Sequence, residues 1–227
     1  MFLGHFAVAF AAKKAAPGTS LGTLFIGAQF IDLLWPILLV AGVEHVRLDP
    51  GNTAVTPLDF YNYPFSHSLT GVVIWSVLVG GVYFAFRRYR RGALVLGAAV
   101  LSHWVLDLLT HRPDLPLTFS GEARAGFGLW NSLPLTLIVE LGLFAAGVVF
   151  FLRATSAKDR VGRYALWALI LVLTGIYVMN LFGPPPPNVE MIGIAGNAGW
   201  LFVLWAYWVD RHRSAVSDPQ ISSPART

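Results

Sequence analysis

Cysteine is absent from the 227-residue sequence, and charged residues are scarce. Without thiols the chain can form neither a disulfide framework nor a thiolate metal site. Charged residues make up 12% of the chain and hydrophobic residues 56%, whereas an ordinary soluble domain has about 25% and 45–50%. The mean hydropathy is +0.62. This composition argues against a typical soluble enzyme and indicates a membrane protein.

Apolar runs of about 20 residues, long enough to cross a bilayer, occur six times. Their predicted bounds are Leu21–Val43, Ser66–Phe86, Gly92–Thr110, Ser132–Leu152, Tyr164–Phe182 and Met191–Val209. A shorter apolar segment, Phe2–Ala12, lacks the basic start of a signal peptide and is too short to span, so we expect a half-inserted helix. The sequence therefore predicts an all-α integral membrane protein with about six transmembrane helices and one short N-terminal helix.

Lysine and arginine are distributed unevenly between the two sets of loops. If Lys13 and Lys14 face the cytoplasm, thirteen of the sixteen basic residues fall on that side. The three on the opposite side are Arg47, Arg112 and Arg124. This asymmetry follows the positive-inside rule and predicts a cytoplasmic C-terminus. The cluster from Arg87 to Arg91 then reflects topology and contact with anionic lipid, and it does not indicate nucleic-acid binding.

The chain shows no internal repeat and no separate soluble domain. Residues 1–213 are predicted to form one polytopic membrane domain, and residues 214–227, rich in serine and proline, a disordered cytoplasmic tail. No small-residue motif dominates one helix face, so the sequence predicts no particular oligomeric state.

Ionisable residues within the predicted spans are the candidates for function. His103, Asp107 and His111 recur every four residues, so on a helix they form one stripe. Asp32 lies near the middle of the first span, and His67 opens the second. Because a charge at the bilayer centre costs about 2.5–3.5 kcal/mol, such residues usually face a partner or a wet cavity. Counting about 1.5 Å per residue from the basic ends places them at compatible depths, so we expect one cleft that opens outwards.

Three further residues bear on this cleft. Pro36 lacks an N–H, which should leave the carbonyl of Asp32 without its helical partner and favours a pocket there. His5 reaches a similar region if its short segment is helical. Glu140, within the fourth span, belongs to no motif, so a structural hydrogen bond and a role in the site both stay open.

Four stretches in the first half of the chain combine histidine and aspartate in a defined order. They are Gly4-His5-Phe6, the region of Asp32, Phe65-Ser66-His67-Ser68-Leu69, and Leu101-Ser102-His103 through Asp107 to Thr110. Their order and spacing resemble the small bacterial inner-membrane proteins known as membrane-bound metal-dependent hydrolases, which include a member induced in the SOS response to DNA damage. The resemblance implies a metal site formed by His5, Asp32, His67, His103 and Asp107, with His111 as a local addition.

The chain departs from this family's pattern at four positions. Leu34 and Trp35 stand where the family has a second aspartate and a histidine. Asn62 and Tyr63 stand where it has the histidine and arginine of a His-Arg motif. The ligands that remain suffice for one metal and are too few for two.

Imidazole and carboxylate ligands suit Zn²⁺, or Mn²⁺ and Fe²⁺ where oxygen ligands dominate. We expect His67, His103 and either Asp107 or Asp32 to hold one metal that activates water at the outer face. The other carboxylate would orient a ligand imidazole or act as general base. The resemblance implies hydrolysis at the bacterial inner membrane, and the depth of the site suits an ester or phosphoester bond of a lipid-linked substrate.

Two other functions fit the same residues. In a permease or proton-coupled carrier, Asp32, Asp107 and Glu140 would form a proton relay with His103, although the chain lacks the inverted repeat common in such carriers. A non-catalytic membrane partner protein would explain the missing family ligands. A purely structural arrangement also stays open, with a His103–Asp107 hydrogen bond and His67 capping a helix.

Overall fold

The computed structural model describes residues 1–216, and helices dominate that range. The helices are α1 (Leu3–Ala15), α2 (Leu21–Val40), α3 (Pro64–His67), α4 (Leu69–Arg87), α5 (Arg90–Thr110), α6 (Leu133–Ala154), α7 (Arg160–Phe182), α8 (Val189–Asn197) and α9 (Gly199–Arg211). Six segments of the described chain are long and apolar enough to cross a membrane: α2, α4, α5, α6, α7, and the pair α8–α9, which is interrupted at Ala198. The predicted all-α membrane architecture is therefore confirmed.

The outward faces of these helices carry large apolar side chains. Val77 on α4 is 69% exposed, Ile138 on α6 is 68% exposed and Leu171 on α7 is 73% exposed. A soluble protein rarely exposes such continuous apolar surface, whereas a bilayer accommodates it. The chain is a membrane protein that associates with the lipid bilayer through these faces.

Helix α1 is buried against α6, α2 and α5. Its 13 residues extend about 20 Å, less than the roughly 30 Å of a bilayer core. Leu3 and Phe10 are fully buried. Gly147 allows the close contact with α6, because a Cβ atom at that position would collide with the backbone carbonyl of Ala7. The insertion of α1 into the bilayer stays a prediction.

Glu140 holds the start of α1. Its Oε2 accepts hydrogen bonds from the backbone N–H groups of Phe2 at 2.9 Å, Leu3 at 2.6 Å and Gly4 at 3.4 Å. These are N–H groups that have no partner within the helix. Of the two roles that the sequence left open, the structure shows the hydrogen-bonding one, which anchors the helix that carries His5.

Short antiparallel strand pairs organise the links between helices. They are β1 (His45–Leu48) with β2 (Leu58–Asn62), β3 (Leu115–Pro116) with β4 (Arg124–Ala125), and β5 (Thr155–Ala157) with β6 (Arg213–Ala215). Ser214 and Ala215, which the sequence assigned to the tail, belong to β6 and pair with the α6–α7 link. Residues 217–227 of the predicted tail lie outside the described residues.

The basic segments meet at one end of the bundle. Lys13 Nζ lies 2.8 Å from Asp210 Oδ1 on α9, and β6 pairs with β5 next to Lys158. Thr19, in the α1–α2 link, lies 3.0 Å from the hydroxyl of Tyr83 near the end of α4. At the opposite ends of the helices, β1 pairs with β2 in the α2–α3 link, and β3 pairs with β4 in the α5–α6 link. The structure thus separates a basic end from a second end covered by the longer loops.

Candidate metal centre

His103 and Asp107 lie one turn apart on the same face of α5. His103 Nε2 is 3.2 Å from Asp107 Oδ2, and both residues are buried. His103 Nδ1 lies 2.9 Å from the carbonyl oxygen of Ala28 on α2. Since a carbonyl only accepts, Nδ1 carries hydrogen, and Nε2 of the neutral ring presents a lone pair. This Nε2 is buried and makes no hydrogen bond with the described residues.

A second imidazole is held in the same tautomer by a longer chain of hydrogen bonds. His67 is the last residue of α3, and its Nδ1 lies 2.7 Å from Ser66 Oγ. Ser66 donates through Oγ to Glu44 Oε2 at 2.6 Å and through its backbone N–H to Glu44 Oε1 at 2.8 Å. The single hydroxyl hydrogen is thereby used, so Ser66 Oγ accepts from His67 Nδ1. His67 Nε2 then presents its lone pair to the centre.

Asp32 completes the cluster from helix α2. Its Oδ1 lies 3.6 Å from His67 Nε2 and 3.5 Å from His103 Nε2, and Asp107 Oδ2 lies 4.0 Å from His67 Nε2. A tetrahedral ion with ligands at about 2.0–2.1 Å holds neighbouring ligand atoms about 3.3–3.4 Å apart. The distances from Asp32 Oδ1 to the two ring nitrogens and from Asp107 Oδ2 to His103 are therefore close to what one such ion requires, whereas that from Asp107 to His67 is longer.

His5 approaches the other side of Asp107. Its Nε2 lies 3.1 Å from Asp107 Oδ1, which also accepts from the charged amino group of Met1 at 2.5 Å. The rings of His5 and His103 are parallel within 4° with centroids 3.6 Å apart. His5, His103 and Asp107 form one group of ligand atoms within 4.8 Å, and Asp32, His67 and His103 form another. The structure brings together five of the six residues that the sequence proposed as ligands.

His111 does not join this cluster. Helix α5 ends at Thr110, and His111 has extended backbone with φ −63° and ψ 146°, so the four-residue stripe stops there. Its Nδ1 lies 2.9 Å from Asp114 Oδ1, and its ring packs against Trp130 with centroids 4.4 Å apart. The end of the helix, which spacing alone did not reveal, moves His111 into a separate polar contact.

Two fully buried residues next to the centre, Glu44 and Tyr63, were not among the predicted site residues. Glu44 is fully buried although it belongs to a loop, and only its contact with Ser66 reveals why. Tyr63 is also fully buried, with its ring 4.9 Å from that of His67. Burial, together with the nearby Asp114 carboxylate, raises the pKa of Tyr63 well above its ordinary value, so its hydroxyl keeps its proton. The one signal in the sequence was the charge of Glu44, which lies in a loop directly after an apolar span.

The positions that depart from the family's pattern add no ligands to the centre. Trp35 is buried with its ring edge-on to His67 at 6.3 Å, and Leu34 is half-buried beside it along α2. Asn62 is exposed in β2, where it pairs with His45. Apolar and strand residues thus occupy the places of the missing ligands.

The cluster combines two imidazoles with two carboxylates, one of which, Asp107, already pairs with the amino group of Met1 at 2.5 Å. The two carboxylates and the Nε2 atoms of the two imidazoles converge. The Nδ1 atoms face fixed acceptors, Ser66 Oγ for His67 and the carbonyl oxygen of Ala28 for His103. Buried acceptors without a donor are costly. A divalent cation can bind atoms of this kind, and the group Asp32, His67 and His103 and the group His5, His103 and Asp107 could each hold a metal. The side chain of Asp32 is 38% exposed, which leaves the centre open on that side.

Neither a scan against models of protein families nor searches of curated proteins and of solved structures find a match for this chain. The family resemblance stays a prediction, and the geometry of the centre provides the main support for a function.

Proposed function

We propose that this protein is a membrane-embedded, metal-dependent hydrolase. The observation that supports the proposal is the shared orientation of the His67 and His103 rings. Each ring places Nδ1 on a fixed acceptor and turns Nε2 towards Asp32 and Asp107.

His67, His103 and Asp107 are the proposed metal ligands. Their nitrogen and oxygen atoms suit Zn²⁺, with Mn²⁺ and Fe²⁺ as alternatives. His5 holds the second oxygen of Asp107, and Glu44 holds His67 through Ser66, so both orient ligands. When bound, such a metal lowers the pKa of a coordinated water to about 7 and polarises the bond to be cleaved.

Asp32 is the proposed general base. It is the one member of the cluster with substantial exposure, so substrate and water approach beside it. Its Oδ1 lies within 3.6 Å of both ring nitrogens, close enough to orient a water at the centre and take its proton. A centre among membrane-spanning helices suits an ester or phosphoester bond of a lipid-linked substrate.

We propose the bacterial inner membrane as the location, with the basic end in the cytoplasm. This placement rests on the thirteen-to-three distribution of basic residues and on the family resemblance. The centre then opens towards the non-cytoplasmic face.

Elemental analysis of the detergent-purified protein tests the proposal. We expect about one zinc, manganese or iron per chain in the wild type, loss of that metal in His103→Ala, and retention in the control His45→Ala, whose ring lies outside the cluster. In mixed micelles, a chromogenic ester or phosphodiester should be hydrolysed by the wild type. Asp32→Asn should keep the metal and lose at least about a hundredfold in rate.

A wild type without stoichiometric metal, together with an unchanged His103→Ala variant, would refute the proposal. That result is what the carrier and partner-protein alternatives predict. Uptake into proteoliposomes that depends on a proton gradient and not on metal would then favour the carrier. A metal-loaded wild type that cleaves neither probe would contradict hydrolysis of these two bond classes.

A further inference from the structure

A large cleft lies at the basic end of the bundle, away from the metal centre. Its volume is about 1130 Å³, above the roughly 300–1,000 Å³ of most small-molecule sites. It is lined mainly by α2, α4 and α9, with Lys13 of α1, the α1–α2 link, Leu96 of α5, Lys158 and β6. Helix α4 packs mainly on α5, whereas α2 packs on α1, α5, α8 and α9, so a gap remains between α4 and α2.

The inner wall of this cleft is apolar and follows the direction of the spans. It is formed by Ile26, Phe30, Trp75, Leu78, Val82 and Phe86. From Trp75 to Arg87 the wall extends twelve residues along α4, or about 18 Å, close to the roughly 15 Å depth of one bilayer leaflet. Phe30 and Trp75 close its upper end with ring centroids 5.4 Å apart. These dimensions suit an acyl chain lying parallel to the helices.

The mouth of the cleft is positively charged. Its basic lining residues are Lys13, Arg87, Lys158, Arg211 and Arg213, and Asp210 is the acidic lining residue. Asp210 already pairs with Lys13. Arg87 and Arg211 are exposed, and neither forms an ion pair within residues 1–216. Two guanidinium groups thus remain available at the end of an apolar wall.

We propose that this cleft binds one anionic phospholipid, with an acyl chain along the α4 wall and its phosphate between Arg87 and Arg211. An uncharged apolar molecule would leave the arginines unmatched, and a soluble phosphate would make no contact with the apolar wall. A phospholipid meets both requirements, because arginine binds phosphate oxygens in a bidentate manner. The site is separate from the metal centre and does not depend on the proposed hydrolysis.

Native mass spectrometry of the full chain in detergent tests this site. The probes are phosphatidylglycerol and phosphatidylcholine with the same acyl chains. Arg87→Gln with Arg211→Gln removes the proposed phosphate contacts. Arg91→Gln with Arg163→Gln is the matched control, because these exposed arginines also lie at the basic end but outside the lining.

A third variant, Val82→Trp, fills the wall without changing charge. Val82 is 55% exposed, so the larger side chain occupies the cleft rather than the core. It separates a lipid seated in the cleft from a headgroup that merely touches surface arginines. In that second case, phosphatidylglycerol binding would not respond to the tryptophan.

We expect the wild type to retain one phosphatidylglycerol at least tenfold more tightly than phosphatidylcholine. Each arginine near a membrane surface contributes about fivefold, so the double variant should bind phosphatidylglycerol about 25-fold more weakly, and the control pair within twofold of wild type. Val82→Trp should also weaken binding at least fivefold. Equal retention of both lipids, an unaffected double variant, or an unaffected Val82→Trp would each overturn the proposal.

Discussion

The variant Glu44→Gln tests whether the hydrogen bonds from Glu44 through Ser66 to His67 determine the metal affinity of the centre. The Glu44 side chain is fully buried and accepts twice from Ser66, through its backbone N–H and its hydroxyl. A glutamine keeps one oxygen acceptor but replaces the other with an NH₂ donor. If that NH₂ donates to Ser66 Oγ, the serine hydroxyl turns towards His67 Nδ1 and donates to it. The imidazole then carries its hydrogen on Nε2, where the metal should bind.

The size of the effect follows from these contacts. Removal of a group that orients a metal-bound histidine typically weakens metal binding 10- to 100-fold, or about 1.4–2.8 kcal/mol at 1.4 kcal/mol per factor of ten. The fold should survive, because glutamine has nearly the same volume and still accepts one hydrogen bond. We therefore expect the Kd for Zn²⁺ to rise 10- to 100-fold while the protein remains folded in detergent.

Competition with a chromogenic zinc chelator measures the Kd, and ¹⁵N chemical shifts of the histidine side chains report the tautomer of His67. Glu122→Gln is the matched control, because Glu122 is exposed in a loop and should change neither readout. A Kd for Glu44→Gln within twofold of wild type would refute this reasoning. A weakened Kd without a change of tautomer would place the cause elsewhere in the buried loop.

Three further predictions concern packing and protonation. Gly147→Ala should lower the free energy of unfolding in detergent by about 1–3 kcal/mol, because its Cβ would collide with the α1 backbone; Gly142→Ala, with open space at its Cβ, should be tolerated. Glu140→Ala leaves the first N–H groups of α1 without their acceptor and should cost about 2 kcal/mol or more by the same measurement, whereas Glu140→Gln should cost less. Because the pKa of Tyr63 is raised above its ordinary 10.0, the unfolded chain releases this proton first, so stability should fall as pH rises above 10. Tyr63→Phe should lessen that alkaline loss in pH-dependent unfolding, and an identical loss in both proteins would contradict the assignment.

Local patterns were enough to predict the spans and most of the candidate ligands. The apolar runs placed all six spans, with ends that differ by a few residues. The four-residue spacing correctly placed His103 and Asp107 on one helix face, because both lie within one uninterrupted helix. The same spacing misplaced His111, because helix α5 ends one residue before it. Periodicity indicates a shared face only as far as the helix continues.

Contacts between distant segments lay beyond sequence reasoning. Glu44 reaches Ser66 across a loop, and Glu140 meets the start of α1 from a helix more than a hundred residues away. Neither pairing leaves a mark on hydropathy or spacing, because each depends on how whole helices pack.

By itself the sequence determined that the chain is a helical membrane protein with buried histidines and aspartates, because apolar length and the cost of buried charge are local properties. Only the tertiary structure decided which residues meet, which ring nitrogens carry hydrogen, and where α4 leaves a cleft. Those outcomes depend on the fixed acceptors Ala28 and Ser66 and on the packing of α2, α4 and α5. A lone pair is directed by the partner on the opposite ring nitrogen, and that partner is supplied by the fold.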